Sequence, residues 1–260
     1  MMQEEPQFLT VGNGARAREI AYLHEPARAR GPAEAGVMWL SGFKSDMAGS
    51  KAVAVAEWAA ERGVSCTRHD YSGHGRSAGD FEDACLSDWL EETLAVFDAC
   101  CKGPTIIIGS SMGGWLAMLL TLARRETGLI KGLVLIAPAA DFTEELMWKH
   151  RFSDDIRQTI METGRFEQPS AYSEDPYVIT RKLIEDGRKH LILDRQLKTG
   201  CPVAILQGVQ DPDVPWQHAQ RLAEALPLDD VSLTLIPDGD HRLSRPQDIE
   251  LLLKTVEGLI

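Results

Sequence analysis

TIIIGSSMGG, Thr105 to Gly114, sets a β-branched run against a glycine-rich corner that carries two serines. WLAMLLTLARRE follows, with apolar residues at helical spacing. The stretch therefore predicts a buried strand, a tight turn and a helix. The spacing Gly109-x-Ser111-x-Gly113 adds a chemical expectation. A serine centred between glycines on a strained strand-to-helix turn presents its oxygen as a nucleophile. Glycine at the two flanking positions lets backbone and helix approach where a Cβ would clash. Ser110 lacks that symmetry. The plain alternative is an ordinary turn built from small residues, and the rest of the chain has to decide between them.

Further apolar runs lie on either side. They are GVMWLSG (36–42), VSCTRHD (64–70), GLVLIAP (132–138), PVAILQG (202–208) and VSLTLIP (231–237). Between them lie KAVAVAEWAAERG (51–63), LSDWLEETLAVFDACCKG (86–103) and WQHAQRLAEALP (216–227), all with helical periodicity. Continuous apolar strands alternating with amphipathic helices predict an α/β fold whose mostly parallel sheet is buried on both faces. QFLTV and REIAYLH, joined by VGNGARA, read as an antiparallel edge hairpin. One interval breaks the rhythm. Residues 141–200 hold 12 acidic and 10 basic residues, no convincing strand and at least two helical stretches. They predict a helical cap inserted into a core made of residues 1–140 and 201–260. Such a cap would cover the carboxyl ends of the strands, where open α/β sheets bind ligands.

A serine nucleophile needs a base and an acid. PDGDHRLS (237–244) presents His241 on the loop after VSLTLI, and histidine shuttles protons near neutrality. His69, His74 and His218 are the rivals. His218 lies on a helix, His69 closes a strand, and His74 sits in a glycine loop suited to shaping the site. QGVQDPDVPWQHA (207–219) places Asp211 after PVAIL, where its carboxylate can accept from Nδ1–H of His241. Asp213 is the nearest competitor and reads as a turn or capping residue. Asp238 and Asp240 read as turn residues. An oxyanion hole is expected from the backbone N–H groups of Met112 and of Phe43 in LSGFKSD (40–46), each worth about 3 kcal/mol of barrier. DYSGHGRSAG (70–79) lacks the lysine of a phosphate loop. Its Asp70 and Arg76 are expected to hold loops together.

The order Ser111, Asp211, His241 is that of α/β-hydrolases. GSSMGGWL, DYSGHGRS, QGVQDPDVPW and GDHR resemble the serine members of that superfamily. Five segments together are similar to the family of α/β-hydrolase domain-containing protein ten. They are LSGFKSDMAGSKA, DYSGHGRSAGDF, GSSMGGWL, QPSAYSED and DPDVPWQHA, and the similarity runs from about Val37 onward. The resemblance implies an α/β-hydrolase fold with Ser111 as nucleophile, Asp211 as acid and His241 as base. It also implies palmitoyl-protein thioesterase or acyl-glucuronide esterase chemistry. The chain departs from that mitochondrial family at MMQEEPQF, which is acidic and has no transit-peptide character. Cytoplasmic placement is the expectation.

The expected reaction is hydrolysis of a carboxylic ester or thioester, on a small molecule or an acylated protein, through an acyl-enzyme. It needs no metal and no organic cofactor. In the cap, Met147, Trp148, Phe152, Phe166 and Tyr172 are candidates for apolar walls, with Trp148, Phe152 and Tyr172 expected in the substrate pocket. The same residues could equally pack the cap onto the core. An acyltransferase or a peptidase could run on the same triad, and a receptor could use the pocket without catalysis. A receptor has no need of all three residue types in order.

Composition closes off other classes. The chain has 260 residues, 44% of them hydrophobic, which suits one large domain with an insert. Its formal net charge of −12 repels phosphate backbones, so nucleic acid is not an expected partner. No apolar run reaches the roughly 20 residues of a membrane helix. The five cysteines form no CxxC and read as reduced thiols, and the seven histidines show no metal-ligand spacing.

Overall fold

The computed structural model describes residues 5–28, 35–168 and 176–260. Strands β1 (Gln7–Val11) and β2 (Arg18–Glu25) open the chain as an antiparallel hairpin. Then come β3 (Gly36–Leu40), α1 (Ser50–Arg62), β4 (Cys66–His69), α2 (Leu86–Cys100), β5 (Thr105–Ser110), α3 (Met112–Arg124) and β6 (Ile130–Ile136). The insert follows. It contains a wide π-helical segment (Thr143–Arg151), α4 (Asp154–Thr163), β7 (Arg165–Gln168), β8 (Tyr177–Thr180) and α5 (Arg181–Gly187). The chain closes with β9 (Val203–Gly208), α6 (Trp216–Glu224), β10 (Val231–Ile236) and α7 (Pro246–Glu257).

Eight strands form one sheet in the order β1-β2-β4-β3-β5-β6-β9-β10. All neighbours from β4 to β10 are parallel. β5 sits at the centre, with Ile107 opposite Met38 of β3 and Leu133 of β6. Successive side chains of a strand point to opposite faces. Ile107 accordingly packs with Trp89, Phe97 and Trp115, while Ile106 and Ile108 pack with Val55, Trp58 and Leu252. Helices α2, α3 and α6 therefore share one face of the sheet, and α1 and α7 cover the other. Two covered faces are why the central strands read as unbroken apolar runs. β10 departs from that expectation. It is an edge strand, and its Ser232, Thr234 and Leu235 are exposed, because only one face and one edge meet the core.

The insert is not wholly helical. β7 and β8 pair antiparallel, with Phe166 opposite Ile179. Each is four residues long and β7 is largely polar, too short for a period of two to stand out. The ends of the insert meet at Asp141. This buried residue takes φ of 56° and accepts from the backbone N–H groups of Ile192 (2.9 Å) and Leu193 (2.8 Å). Burial still pushes its carboxyl up to about 6. Met147, Phe152, Ile160 and Leu183 of the insert are buried in the same cluster as Trp89 and Trp115, so the insert is packed onto the core and shares its apolar interior.

Candidate active site

Ser111, Asp211 and His241 each follow a parallel strand at its carboxyl end. Ser111 comes directly after β5, on a corner with φ of 54° and ψ of −118°. An L-residue at positive φ is strained by about 1–2 kcal/mol. Three backbone bonds hold it there: Ser111 N–H donates to Ile136 O (2.9 Å), and Ser111 O accepts from Gly114 N–H (2.9 Å) and Ala139 N–H (3.1 Å). The corner leaves no room behind it. A Cβ on Gly109 would lie 2.3 Å from Gly113 O, and one on Gly113 would lie 2.1 Å from Leu40 O. Backbone cannot yield at such distances without moving β3. Gly113→Ala is therefore expected to destabilise the fold by about 3 kcal/mol, despite the better helix propensity of alanine. A lowered Tm accompanied by a loss of turnover per folded molecule is the expected result, and an unchanged Tm would contradict it.

The loops after β9 and β10 are tied together by Val209 N–H to Ile236 O and Gln210 N–H to Gly239 O, both at 2.9 Å. That brings Asp211 and His241 into contact. Nδ1 of His241 lies 2.8 Å from Oδ2 of Asp211, and Nε2 lies 3.1 Å from Oγ of Ser111. The Asp211 side chain is wholly shielded from solvent. Its Oδ1 accepts from the N–H groups of Asp213 (2.8 Å) and Val214 (2.9 Å), and its Oδ2 from Nε2 of Gln207 (3.1 Å). Gln207 gave no sign in the sequence beyond being a polar residue near the end of an apolar strand. An acceptor-only acid on one side fixes Nδ1 as the protonated nitrogen and leaves Nε2 to take the serine proton.

The rivals are engaged elsewhere. Asp213 pairs with Arg151 of the insert at 3.3 Å and does not cap α6. His218 bonds to Ala140 O, and burial holds its ring below the usual imidazole range. Burial pushes His69 down to about 3. Asp70 holds loops together as expected, accepting from Met47 N–H and Arg76 N–H. Among the described residues, Asp211, Asp213 and His241 are the one acidic and histidine group compact enough to share a cation. Their hydrogen bonds to one another and to Arg151 already account for that proximity.

A cavity of about 340 Å³ opens at Ser111 and His241. Its apolar lining includes Phe43, Phe142, Leu146, Met147, Tyr177 and Val214, and its polar lining includes Ser45, Asp46, Lys51 and Arg242. Burial and the neighbouring Arg242 charge push the Lys51 ammonium down to about 8. The expected pocket residues need correction. Trp148 does not line the cavity, and its ring instead meets the guanidinium groups of Arg157 (5.9 Å) and Arg188 (4.8 Å). Phe152 does not line it either, being buried against Phe166. Tyr172 lies outside the described residues. Phe142 and Leu146 take the wall positions instead. They are four residues apart at the start of the insert, a helical spacing that was legible but sits ahead of the more conspicuous aromatic residues.

The N–H groups of Phe43 and Met112 make no hydrogen bond among the described residues. The ring of Phe43 is nested edge-on among Phe81 (4.9 Å), Phe142 (5.6 Å) and Tyr177 (5.9 Å).

The model of one protein family, described as serine aminopeptidase, S33 (Hydrolase_4), matches residues 31–248. The chain is an α/β-hydrolase of this family. Among curated α/β-hydrolases it is similar to the human (Homo sapiens) palmitoyl-protein thioesterase ABHD10, mitochondrial. The two are 34% identical over 227 residues, or 86% of this chain and 72% of the human protein. Among solved structures, a putative hydrolase from Agrobacterium vitis S4 aligns with a TM-score of 0.92 and 48% identity, covering 98% of both chains. Mouse α/β-hydrolase domain-containing protein 10 aligns with a TM-score of 0.86 and 32% identity, again over 98% of both. Among the described residues, no helix of this α/β-hydrolase is long and apolar enough to cross a membrane.

Proposed function

We propose that this α/β-hydrolase cleaves carboxylic esters or thioesters through an acyl-enzyme on Ser111. The reading rests on one observation above all: Ser111 Oγ, His241 and Asp211 form a continuous hydrogen-bonded chain at the carboxyl edge of the sheet. His241 Nε2 takes the proton of Ser111 as Oγ attacks the acyl carbonyl. The N–H groups of Phe43 and Met112 hold the oxyanion. His241 then protonates the leaving oxygen or sulfur, and the acyl group stays on Oγ. Water follows the same route, with His241 as base, and releases the acid. Asp211 keeps the imidazole oriented and stabilises its cationic form.

The substrate class rests on the lining and on relatives. Phe43, Phe142, Leu146, Met147 and Tyr177 offer an apolar wall to an acyl chain. The curated mammalian relatives are named palmitoyl-protein thioesterases. Either a small-molecule thioester or an S-acylated protein fits this proposal. Cytoplasmic placement belongs to it too, since five unbridged cysteines suit a reducing compartment. The relatives carry the word mitochondrial in their names, and fractionation of the tagged chain separates the two compartments.

The test is kcat/KM across p-nitrophenyl acetate, butyrate and octanoate, followed by a palmitoyl thioester, with fluorophosphonate labelling alongside. Rates that rise with acyl length, on an enzyme whose Ser111 is labelled, are expected. Turnover of an aminoacyl anilide with none of any ester would replace the reading by a peptidase. Neither turnover nor labelling would make the cavity a receptor.

A further inference from the structure

The loop that carries Phe43 is a four-residue turn, closed by Ser45 N–H donating to Gly42 O at 3.1 Å. It lies against the nucleophile: a Cβ on Gly42 would sit 3.3 Å from the Cβ of Ser111. Its third residue, Lys44, has φ of 53°, a conformation glycine or asparagine normally supplies. Turns of this kind differ from the common type by a flip of the central peptide, here Phe43–Lys44. The proposed oxyanion donor, the Phe43 N–H, lies in the preceding peptide of the same turn, so whatever pins the turn at Lys44 also fixes where Phe43 stands against Ser111. Something must hold the peptide in the disfavoured orientation, and the lysine side chain alone is tethered at its far end, to Pro176 O and over the rings of Phe81 and Tyr177.

The holding group is His74. Its Nε2 lies 3.1 Å from the backbone N of Lys44, and its Nδ1 lies 3.2 Å from Ser72 O. Only one protonation state satisfies both: Nδ1–H donates to Ser72, and bare Nε2 accepts from Lys44. The ring cannot turn to another partner. It is 4% exposed and packed edge-on against Tyr71, Phe81 and Trp89. Burial holds it in the neutral form, pushing its titration down to about 4. The loop is braced once more by Tyr71, whose hydroxyl donates to Ser41 O at 3.2 Å.

We infer that His74 is a positioning residue for the oxyanion hole: as a fixed acceptor for the Lys44 N–H, it anchors the Gly42–Ser45 turn so that the turn's Phe43 N–H stays beside Ser111, toward the reacting carbonyl. This rests on the acyl-enzyme reading above. His74 touches neither substrate nor triad. Its effect is confined to the transition state, because the oxyanion develops there and the ground-state carbonyl makes weaker use of the same donor.

The test compares wild type with His74→Phe, which keeps an aromatic ring but offers no acceptor, and His74→Gln, whose carbonyl oxygen can reach the place of Nε2. Rates on p-nitrophenyl butyrate are divided by the number of sites titrated with a fluorophosphonate, so a misfolded fraction does not count. For His74→Phe, kcat per titrated site is expected to fall ten- to hundredfold with KM within twofold. Affinity for a trifluoromethyl ketone, which forms an oxyanion on the serine, should fall by the same factor. His74→Gln should recover most of both. A kcat per site in His74→Phe within twofold of wild type would overturn the inference, as would a loss confined to KM or to the titratable fraction. A wild type that neither turns over esters nor is titrated would instead overturn the acyl-enzyme reading, which keeps the two failures apart.

Discussion

Ser111→Ala is expected to lower kcat/KM for p-nitrophenyl butyrate by about five to six orders of magnitude, because residues that act as one nucleophilic unit are lost together when the attacking oxygen goes. The small residual rate would come from the backbone donors of Phe43 and Met112 and from binding alone. Fluorophosphonate labelling should vanish with the hydroxyl, while the fold persists. Alanine at φ of 54° carries the same strain as serine, so the loss of rate cannot be assigned to a relaxed corner. A mutant within a hundredfold of wild type, with contaminating esterase excluded by labelling, would remove Ser111 from the reaction. Ser110 would then be the next candidate.

Asp211→Asn should cost about four orders of magnitude in kcat with KM little changed. The size follows from the surroundings. Oδ1 of Asp211 accepts two backbone N–H groups, from Asp213 and Val214. An asparagine must put its carbonyl there, and its amide nitrogen then faces Nδ1 of His241. Two donors cannot face each other, so the proton of the imidazole moves to Nε2 and points at Ser111. The base is left in the wrong tautomer. Gln207 adds to the conflict, since its Nε2 also donates toward that position. The check is the rate of fluorophosphonate labelling, which should fall in proportion to kcat. Activity within tenfold of wild type would shift the acid role to Asp213, despite its pairing with Arg151.

The grouping of Ser111, Asp211 and His241 was legible because each of them sits just beyond a strand that announces itself. TIIIGS, PVAILQG and VSLTLI are apolar enough to be placed without a structure, and Ser111, Asp211 and His241 follow them in an order few other arrangements share. The walls of the cavity were not legible. Whether Trp148 faces a substrate or two guanidinium groups depends on how the insert packs, and composition does not encode that. The β7–β8 hairpin escaped notice for a related reason, since two four-residue strands are specified by their pairing more than by their pattern. The contact between His74 and Lys44 spans 30 residues of sequence and a backbone atom. No side-chain motif marks a bond whose donor is main chain.

The insert leaves the sheet after β6 and returns to β9, its immediate neighbour, where Val203 lies opposite Leu133. Asp141 fastens departure to return by accepting Ile192 and Leu193. Topologically, some sixty residues form an excursion clasped at Asp141 and seated on the core through Met147, Phe152, Ile160 and Leu183. An insert between two neighbouring parallel strands can change in length without altering the order of the strands. The cavity wall is shared, with Phe142, Leu146 and Met147 coming from the insert and Phe43 and Val214 from the core. Exchanging Phe142, Leu146 or Met147 would reshape the cavity from the insert's side and leave the order of the strands as it is.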